Sequence, residues 1–233
     1  MEGTTYQMME ETPRQRGETS PALEKKDEGQ SIALSNPKTL LEKSFPLNKA
    51  ITERTSHRKY LNQPLSFEEL SYLLYVTQGV KKVTSKATFR MVPAAGARHA
   101  LLTYLYIRNV KGIPKGLYRY HALEHELVKL PTPDTFQDDL VTGALGQKMF
   151  ETSALNFIWV ADKARMYHTY GERGYRYLHL DAGHVCQNLY LACELIDAGT
   201  VAVAAYDDKK INTLMNIDGD NFFTIYMAPV GKV

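Results

Sequence analysis

The chain has 233 residues, 44% hydrophobic and 23% charged, with a net charge of +2; this is the make-up of a globular protein with room for one sizeable core. So small a net charge gives neither nucleic acid nor an anionic membrane a claim as main partner, and no apolar run approaches the ~20 residues of a membrane span. The N-terminus lacks the apolar core of a secretion signal, so a cytoplasmic protein is expected.

Residues 1–48 differ from the rest, with prolines at 13, 21, 37 and 46, many Glu, Lys, Ser and Thr, and few aromatics. Such a segment buries too little apolar surface to offset its ordering entropy. An extended or disordered arm is expected there, or one wrapped onto something else such as a second subunit, with Leu40, Leu41, Phe45 and Leu47 as candidate anchors. A single domain is expected over 49–233, beginning with a short helix before Arg54. Ser66-Phe67-Glu68-Glu69 is a capping box, followed by Leu70, Leu73 and Leu74 at helical spacing and stopped by Gly79.

After a loop over 80–99, Leu101–Asn109 reads as a strand. Leu117–Tyr120 and Glu126–Leu130 read as a hairpin turning at His121–His125. A helical region over 134–150 precedes an apolar strand, Leu155–Ala161. A long helix over 174–197 carries Leu178, Val185, Leu189, Ala192 and Leu195 on its buried side. Thr200–Tyr206 reads as a strand, Lys209–Met215 as a short helix and Phe222–Val230 as the last strand. Strands broken up by helices, with a hairpin in the middle, give an α+β domain around a mixed, mainly antiparallel sheet flanked by helices. Cys186 and Cys193 stand seven residues apart on the long helix, about 10.5 Å along its axis. That is too far for a disulfide, so both read as small buried hydrophobes.

The sequence Arg54-Thr55-Ser56-His57-Arg58-Lys59-Tyr60 places two arginines either side of a serine. Two planar N–H forks and a short hydroxyl can converge on one phosphate, although a basic run is more often a solvated face. Arg90-Met91-Val92-Pro93-Ala94-Ala95-Gly96-Ala97-Arg98 is low in bulk, which lets a flat ligand approach the backbone; an ordinary turn fits it equally well. Thr200–Ala205 is a second low-bulk stretch, able to present backbone N–H groups or simply to be a buried strand. His121 and His125 lack the glutamate that must directly follow the first histidine of a zinc helix, and Ala122 stands there instead. His179 and His184 point in different directions on the long helix, and a packing role is expected for His184. Neither a phosphate-binding Gly loop nor a nucleophile elbow is present, so hydrolase readings have no support.

In this order the motifs resemble the nitroreductase family of FMN flavoproteins, and within it the SagB-type dehydrogenase branch. Arg54–Tyr60 is similar to the family's opening Arg-Arg-Ser-x-Arg element, and Pro93-Ala94-Ala95-Gly96-Ala97 to the branch's Pro-Ser-Ala-Gly-Ala loop. Asn109-Val110-Lys111-Gly112, Gly116-Leu117-Tyr118-Arg119-Tyr120, and the stretches 170–177 and 181–189 follow in the same order as in that branch. The resemblance covers residues 48–233. It implies a nitroreductase-like homodimer with FMN at the subunit interface. Arg54, Ser56 and Arg58 would hold the phosphate, ribityl chain and pyrimidine edge, with Lys232 a weaker candidate for the phosphate. The backbone of Pro93, Ala94, Ala95 and Gly96 would line the ring, and Ala204 and Ala205 would offer an N–H near N5 or O4. Tyr170, Arg173, Tyr175 and Arg176 would shape the substrate side.

The implied activity is an FMN-dependent oxidoreductase with no protein nucleophile and with NAD(P)H as donor. It would pass hydride in a ping-pong cycle to a nitroaromatic, quinone or similar acceptor. The alternatives are azoline dehydrogenation on a modified peptide, and flavin binding without catalysis. Three positions depart from the pattern. Ala94 replaces the loop serine, Ala204 replaces a glutamate common in the wider family, and Thr169-Tyr170 replaces the Lys-Tyr pair of azole-forming oxidases.

Overall fold

Leu101–Ile107 and Leu155–Asp162 are buried at every position, as expected of strands covered on both faces. Alternation sends Leu101, Leu105, Phe157 and Trp159 into one apolar cluster and Leu102, Tyr104, Ile158 and Val160 into another. In this computed structural model, which describes residues 2–233, those two strands form the centre of the main sheet.

The elements in chain order are β1 (Ser31–Ala33), α1 (Lys38–Leu41), α2 (Leu47–Glu53), α3 (Phe67–Gln78), β2 (Val80–Val83) and β3 (Thr88–Arg90). Then come β4 (Leu101–Ile107), β5 (Gly116–His121), β6 (Glu126–Leu130), α4 (Phe136–Gly143), α5 (Met149–Thr152) and β7 (Leu155–Asp162). The chain ends with α6 (Lys163–Tyr170), α7 (Gly174–Leu195), β8 (Ala198–Thr200), α8 (Asp208–Leu214) and β9 (Phe222–Lys232). Seven strands run in the order β1-β6-β5-β4-β7-β9-β8, and every pairing between neighbours is antiparallel. The expected α+β architecture is therefore present. Among the described residues, parallel contacts occur as isolated bridges, Ser56 with Thr200 and Leu65 with Val110.

Helices α3 and α7 cover one face through Leu70, Leu73, Leu74, Leu178, Val185 and Leu189. Helices α4 and α8 cover the other through Phe136, Leu140 and Ile211. The capping box forms as expected. Ser66 Oγ accepts the Glu69 N–H at 3.1 Å, and Glu69 accepts the Ser66 N–H at 2.8 Å.

Several elements differ from expectation. The 80–99 loop contains the β2–β3 hairpin, and the helical region over 134–150 is two helices. Helix α6 was not expected; it starts on Asp162, whose side chain accepts the Arg165 N–H. The strand expected over 200–206 is regular only at 198–200, and beyond it a single bridge joins Val203 to Met227. Here the chain exchanges sheet pairing for contacts with α7 and the Arg54–Arg58 segment.

Residues 2–33 lie across the same chain. Strand β1 pairs with β6. The buried Glu24 carboxylate accepts N–H groups from Ala122 and Leu123 at 2.9 and 3.0 Å and lies 3.6 Å from Arg90. Of the candidate anchors Leu40 is buried, while Leu41 and Leu47 are exposed. Cys186 and Cys193 are free and buried.

Candidate functional site

Helix α2 ends at Glu53, and Arg54 turns the chain into an extended run. That run lies beside β8, where Ser56 bridges Thr200 and the His57 N–H donates to the Thr200 carbonyl at 3.0 Å. The approach needs Gly199, because a Cβ there would sit 2.6 Å from His57 Cβ. Tyr60 clamps the far end, its hydroxyl donating to the carbonyls of His57 at 2.8 Å and Pro229 at 3.1 Å.

Within this frame Ser56 Oγ lies 3.0 Å from the Tyr190 hydroxyl. The Ala202 N–H donates to the same hydroxyl oxygen at 2.8 Å. The Arg54 guanidinium sits 5.1 Å from the centre of the Tyr190 ring, within cation–π range. Ser56 is exposed and Arg54 half-buried, so the cluster is open to a ligand, and Arg58 is exposed two residues beyond Ser56. Lys232 is engaged elsewhere. Its ammonium donates to Glu69 at 2.6 Å and to the Ile196 carbonyl at 2.5 Å, where a cation complements the C-terminal end of α7.

The low-bulk loop packs on the same helix at another place. The Ala95 N–H meets both oxygens of Asp181, at 3.1 and 3.3 Å. Burial pushes the Asp181 carboxyl up to about 6, against the opposing pull of the Ala95 N–H and His184. Gly96 has φ of +53°, and a Cβ there would lie 2.4 Å from the Tyr170 hydroxyl. Ala97 and His99 also have positive φ, at 53° and 45°, a concentration of backbone strain of the kind found at binding loops. Pro93 and Gly96 are exposed, and Ala94 and Ala95 half-buried.

Ala204 and Ala205 are exposed just past the Val203 bridge, and Gln147 Nε2 donates to the Ala205 carbonyl at 2.8 Å. Of the four substrate-side residues, Tyr170 and Arg173 both contact Tyr177, Arg173 through Nε donating to the Tyr177 hydroxyl at 3.0 Å, and Arg173 and Arg176 both reach Thr4. Tyr170 adjoins Gly96 and meets Tyr177 edge-on at 4.8 Å. Arg173 lies under the N-terminal arm, 4.1 Å from the Tyr6 ring, with Nη1 donating to the Thr4 carbonyl at 3.0 Å. Arg176 also reaches Thr4, Nε donating to its Oγ1 at 2.5 Å. Tyr175 stacks on Phe223 at 6.1 Å.

Asp181 and Tyr190 are nine residues apart, which on a helix is two and a half turns and about 13.5 Å. The loop and the basic cluster therefore flank α7 on opposite sides. Neither residue was singled out from sequence. The available signals were a carboxylate and a phenol set among Leu178, Val185 and Leu189, where each needs a polar partner.

The histidines serve structure. His121 Nε2 lies 3.0 Å from Asp27, and His125 contacts the hydroxyls of Tyr120 at 2.8 Å and Ser71 at 2.9 Å. His121, Glu124 and Glu126 come within 4.8 Å of one another, but Glu124 pairs with Lys26. The packing role expected for His184 is not realised, because both His184 and His179 are exposed. Among the described residues no helix is long and apolar enough to cross a membrane.

The profile of the nitroreductase family matches residues 51–232. A Methanocaldococcus jannaschii protein that carries a nitroreductase name is 33% identical over 186 residues, covering 80% of this chain and 90% of that one. The trifolitoxin-processing protein TfxB of Rhizobium leguminosarum is 25% identical over 75% of the chain, which spans about half, 50%, of TfxB. A nitroreductase-named structure from Ralstonia eutropha superposes with a TM-score of 0.72 at 23% identity, over 87% of this chain and 89% of that one. The Escherichia coli microcin synthetase McbBCD complex, bound to truncated pro-MccB17, contains a chain with a TM-score of 0.64 at 17% identity, over 96% and 87%. A nitroreductase-named Desulfovibrio desulfuricans protein in complex with FMN gives 0.56 at 16% identity, over 81% and 87%. The likenesses below 25% identity speak for the fold, while the profile match and the 33% relative speak for descent. The chain belongs to the nitroreductase family of oxidoreductases.

Proposed function

We propose that this protein is an FMN-dependent oxidoreductase, acting as a homodimer with flavin held between the two copies. One observation carries the reading: Arg54 and Ser56 are brought together on Tyr190, open to solvent, beside the backbone of residues 200–202. The residues fit the cofactor. Two guanidinium forks and a hydroxyl suit a phosphate monoester, and a strained loop with only Ala and Gly side chains suits a flat ring.

Bound FMN supplies reversible two-electron transfer at ring N5. Arg54, Ser56 and Arg58 hold the phosphate end, and Arg54 or Arg58 also places positive charge where the reduced ring gathers negative charge. Pro93–Gly96 offers backbone surface for the ring, and Asp181 keeps that loop in place through Ala95. Ala204 and Ala205 are exposed two and three residues beyond Ala202, whose N–H donates to Tyr190. Lys232 joins the phosphate set only by leaving Glu69.

The placement of cluster and loop on opposite flanks of α7 supports the dimer. A two-fold axis brings the cluster of one protomer to the loop of its partner, closing two equivalent sites. The exposed Leu180 on the outer side of α7, 61% accessible, suits such an interface. The first substrate reading is a conjugated acceptor such as a quinone or nitroaromatic, with NAD(P)H as donor. The likeness to TfxB and to a chain of McbBCD favours keeping a second, oxidation of an azoline on a modified peptide.

The test is the visible spectrum of purified protein. A flavin chromophore is expected in the wild type and lost in Arg54→Ala; protein that stays colourless in excess FMN while folded overturns the proposal. Oxidation of NAD(P)H by quinone then favours the first substrate reading. Flavin reduction by a heterocyclised peptide alone favours the second.

A further inference from the structure

We propose that Tyr190 is a positioning residue for the phosphate-binding cluster, orienting the Ser56 hydroxyl and holding the Arg54 guanidinium through separate parts of one side chain. This deepens the FMN reading and rests on it.

Tyr190 lies near the C-terminal end of α7, at the border of its buried stripe, 9% exposed. Its hydroxyl oxygen accepts the Ala202 N–H at 2.8 Å and lies 3.0 Å from Ser56 Oγ. A phenol has one proton to give. With the Ala202 N–H fixed as a donor into Tyr190, two arrangements remain. Either Ser56 donates to Tyr190, and its proton is spent inside the protein, or Tyr190 donates to Ser56 Oγ and leaves the Ser56 O–H free to point outward. An anion above Ser56 selects the second. Each donor in the resulting chain, from Ala202 N–H to Tyr190 O–H to Ser56 O–H to anion, polarises the next.

The ring performs the other task. Arg54 follows directly on α2, and its guanidinium rests 5.1 Å from the Tyr190 ring centre. A long flexible side chain so held loses less freedom when a ligand arrives. Thus the ring confines the cation and the hydroxyl orients the neutral donor, both from α7. Tyr190 itself is buried, while Ser56 is exposed and Arg54 half-buried.

The test uses the full chain, freed of flavin, titrated with FMN and with riboflavin, which lacks the phosphate. Tyr190→Phe keeps the ring and removes the hydroxyl. It is expected to weaken FMN about tenfold, with riboflavin changed less than about twofold. In a Ser56→Ala background the same substitution is expected to cost little more, because the two hydroxyls act as one unit. In the wild type, hydrogen exchange at the Ala202 amide is expected to slow on adding FMN, a measurement that does not depend on any variant folding. Equal losses for FMN and riboflavin, full additivity with Ser56→Ala, or unchanged Ala202 exchange overturns the assignment. Wild-type protein that binds no FMN overturns the cofactor reading as well, whereas wild-type binding matched by Tyr190→Phe overturns this inference alone.

Discussion

Gly96 shows how much the loop over residues 93–97 depends on single atoms. Its φ of +53° and the Tyr170 oxygen, 2.4 Å from where a Cβ would be, each resist a side chain. Gly96→Ala is expected to cost at least about 1–2 kcal/mol from the left-handed backbone alone. Adding Tyr170→Phe is expected to restore part of it, and thermal denaturation of the three variants checks both. Asp181 makes the same loop sensitive to pH. Because burial raises its carboxyl to about 6, above the ordinary carboxylate value of about 3.9, the folded state holds the proton more tightly than the unfolded one. That contribution to stability is full below the ordinary value and is lost as pH rises to about 6. Asp181→Asn lacks the loss, so its melting temperature relative to wild type should climb between pH 4 and 6.5 and then level off. A difference independent of pH would refute the assignment. At this scale the sequence singled out Arg54 and Ser56 as candidates, because their types and spacing suit an anion, and the fold brings them together on Tyr190. It did not show Tyr190 or Asp181, whose roles depend on partners 134 and 86 residues away.

Among elements, the N-terminal arm is the one whose attachment rests most on charge. Glu24 is buried against Arg90 and two backbone N–H groups, and Asp27 sits beside His121 and Arg119. Burial pulls the Arg90 guanidinium down to about 10, still cationic at neutral pH. Removing one partner of such a pair leaves an uncompensated buried charge, so Glu24→Ala should cost ~3–5 kcal/mol in urea unfolding. The double variant Glu24→Gln/Arg90→Met is expected to recover most of that loss. The elements legible in advance were those whose own residues specify them: α3 through its capping box, the central strands through apolar runs, and α7 through its stripe. Helix α6 escaped because Lys163–Tyr170 has no apolar stripe. Residues 201–206 misled because Val201 and Val203 pack into the cluster under α4 and α8 and the Ala202 N–H goes to Tyr190, with a single bridge at Val203 in place of a long ladder. The docking of β1 was not legible because three residues carry no pattern, and their partner β6 lies almost a hundred residues on.

For the molecule as a whole, the proposed dimer, with its site shared across the two flanks of α7, would make assembly and cofactor retention inseparable. Sedimentation equilibrium is expected to give the mass of two chains. Leu180→Glu should yield monomers that retain native circular dichroism and bind FMN at least tenfold more weakly; a monomeric wild type that keeps its flavin would contradict the shared site. The sheet, covered by α3 and α7 on one side and by α4 and α8 on the other, leaves the edges and the helix exteriors for such contacts. The path of the arm has a further outcome in the cell. Thr4, Glu24 and Ile32 leave the ribosome long before Arg173, Ala122 and Leu127, to which they attach. Over most of translation the acidic arm therefore has nothing to hold, and its docking belongs among the late steps of maturation, where long-range closure is slowest.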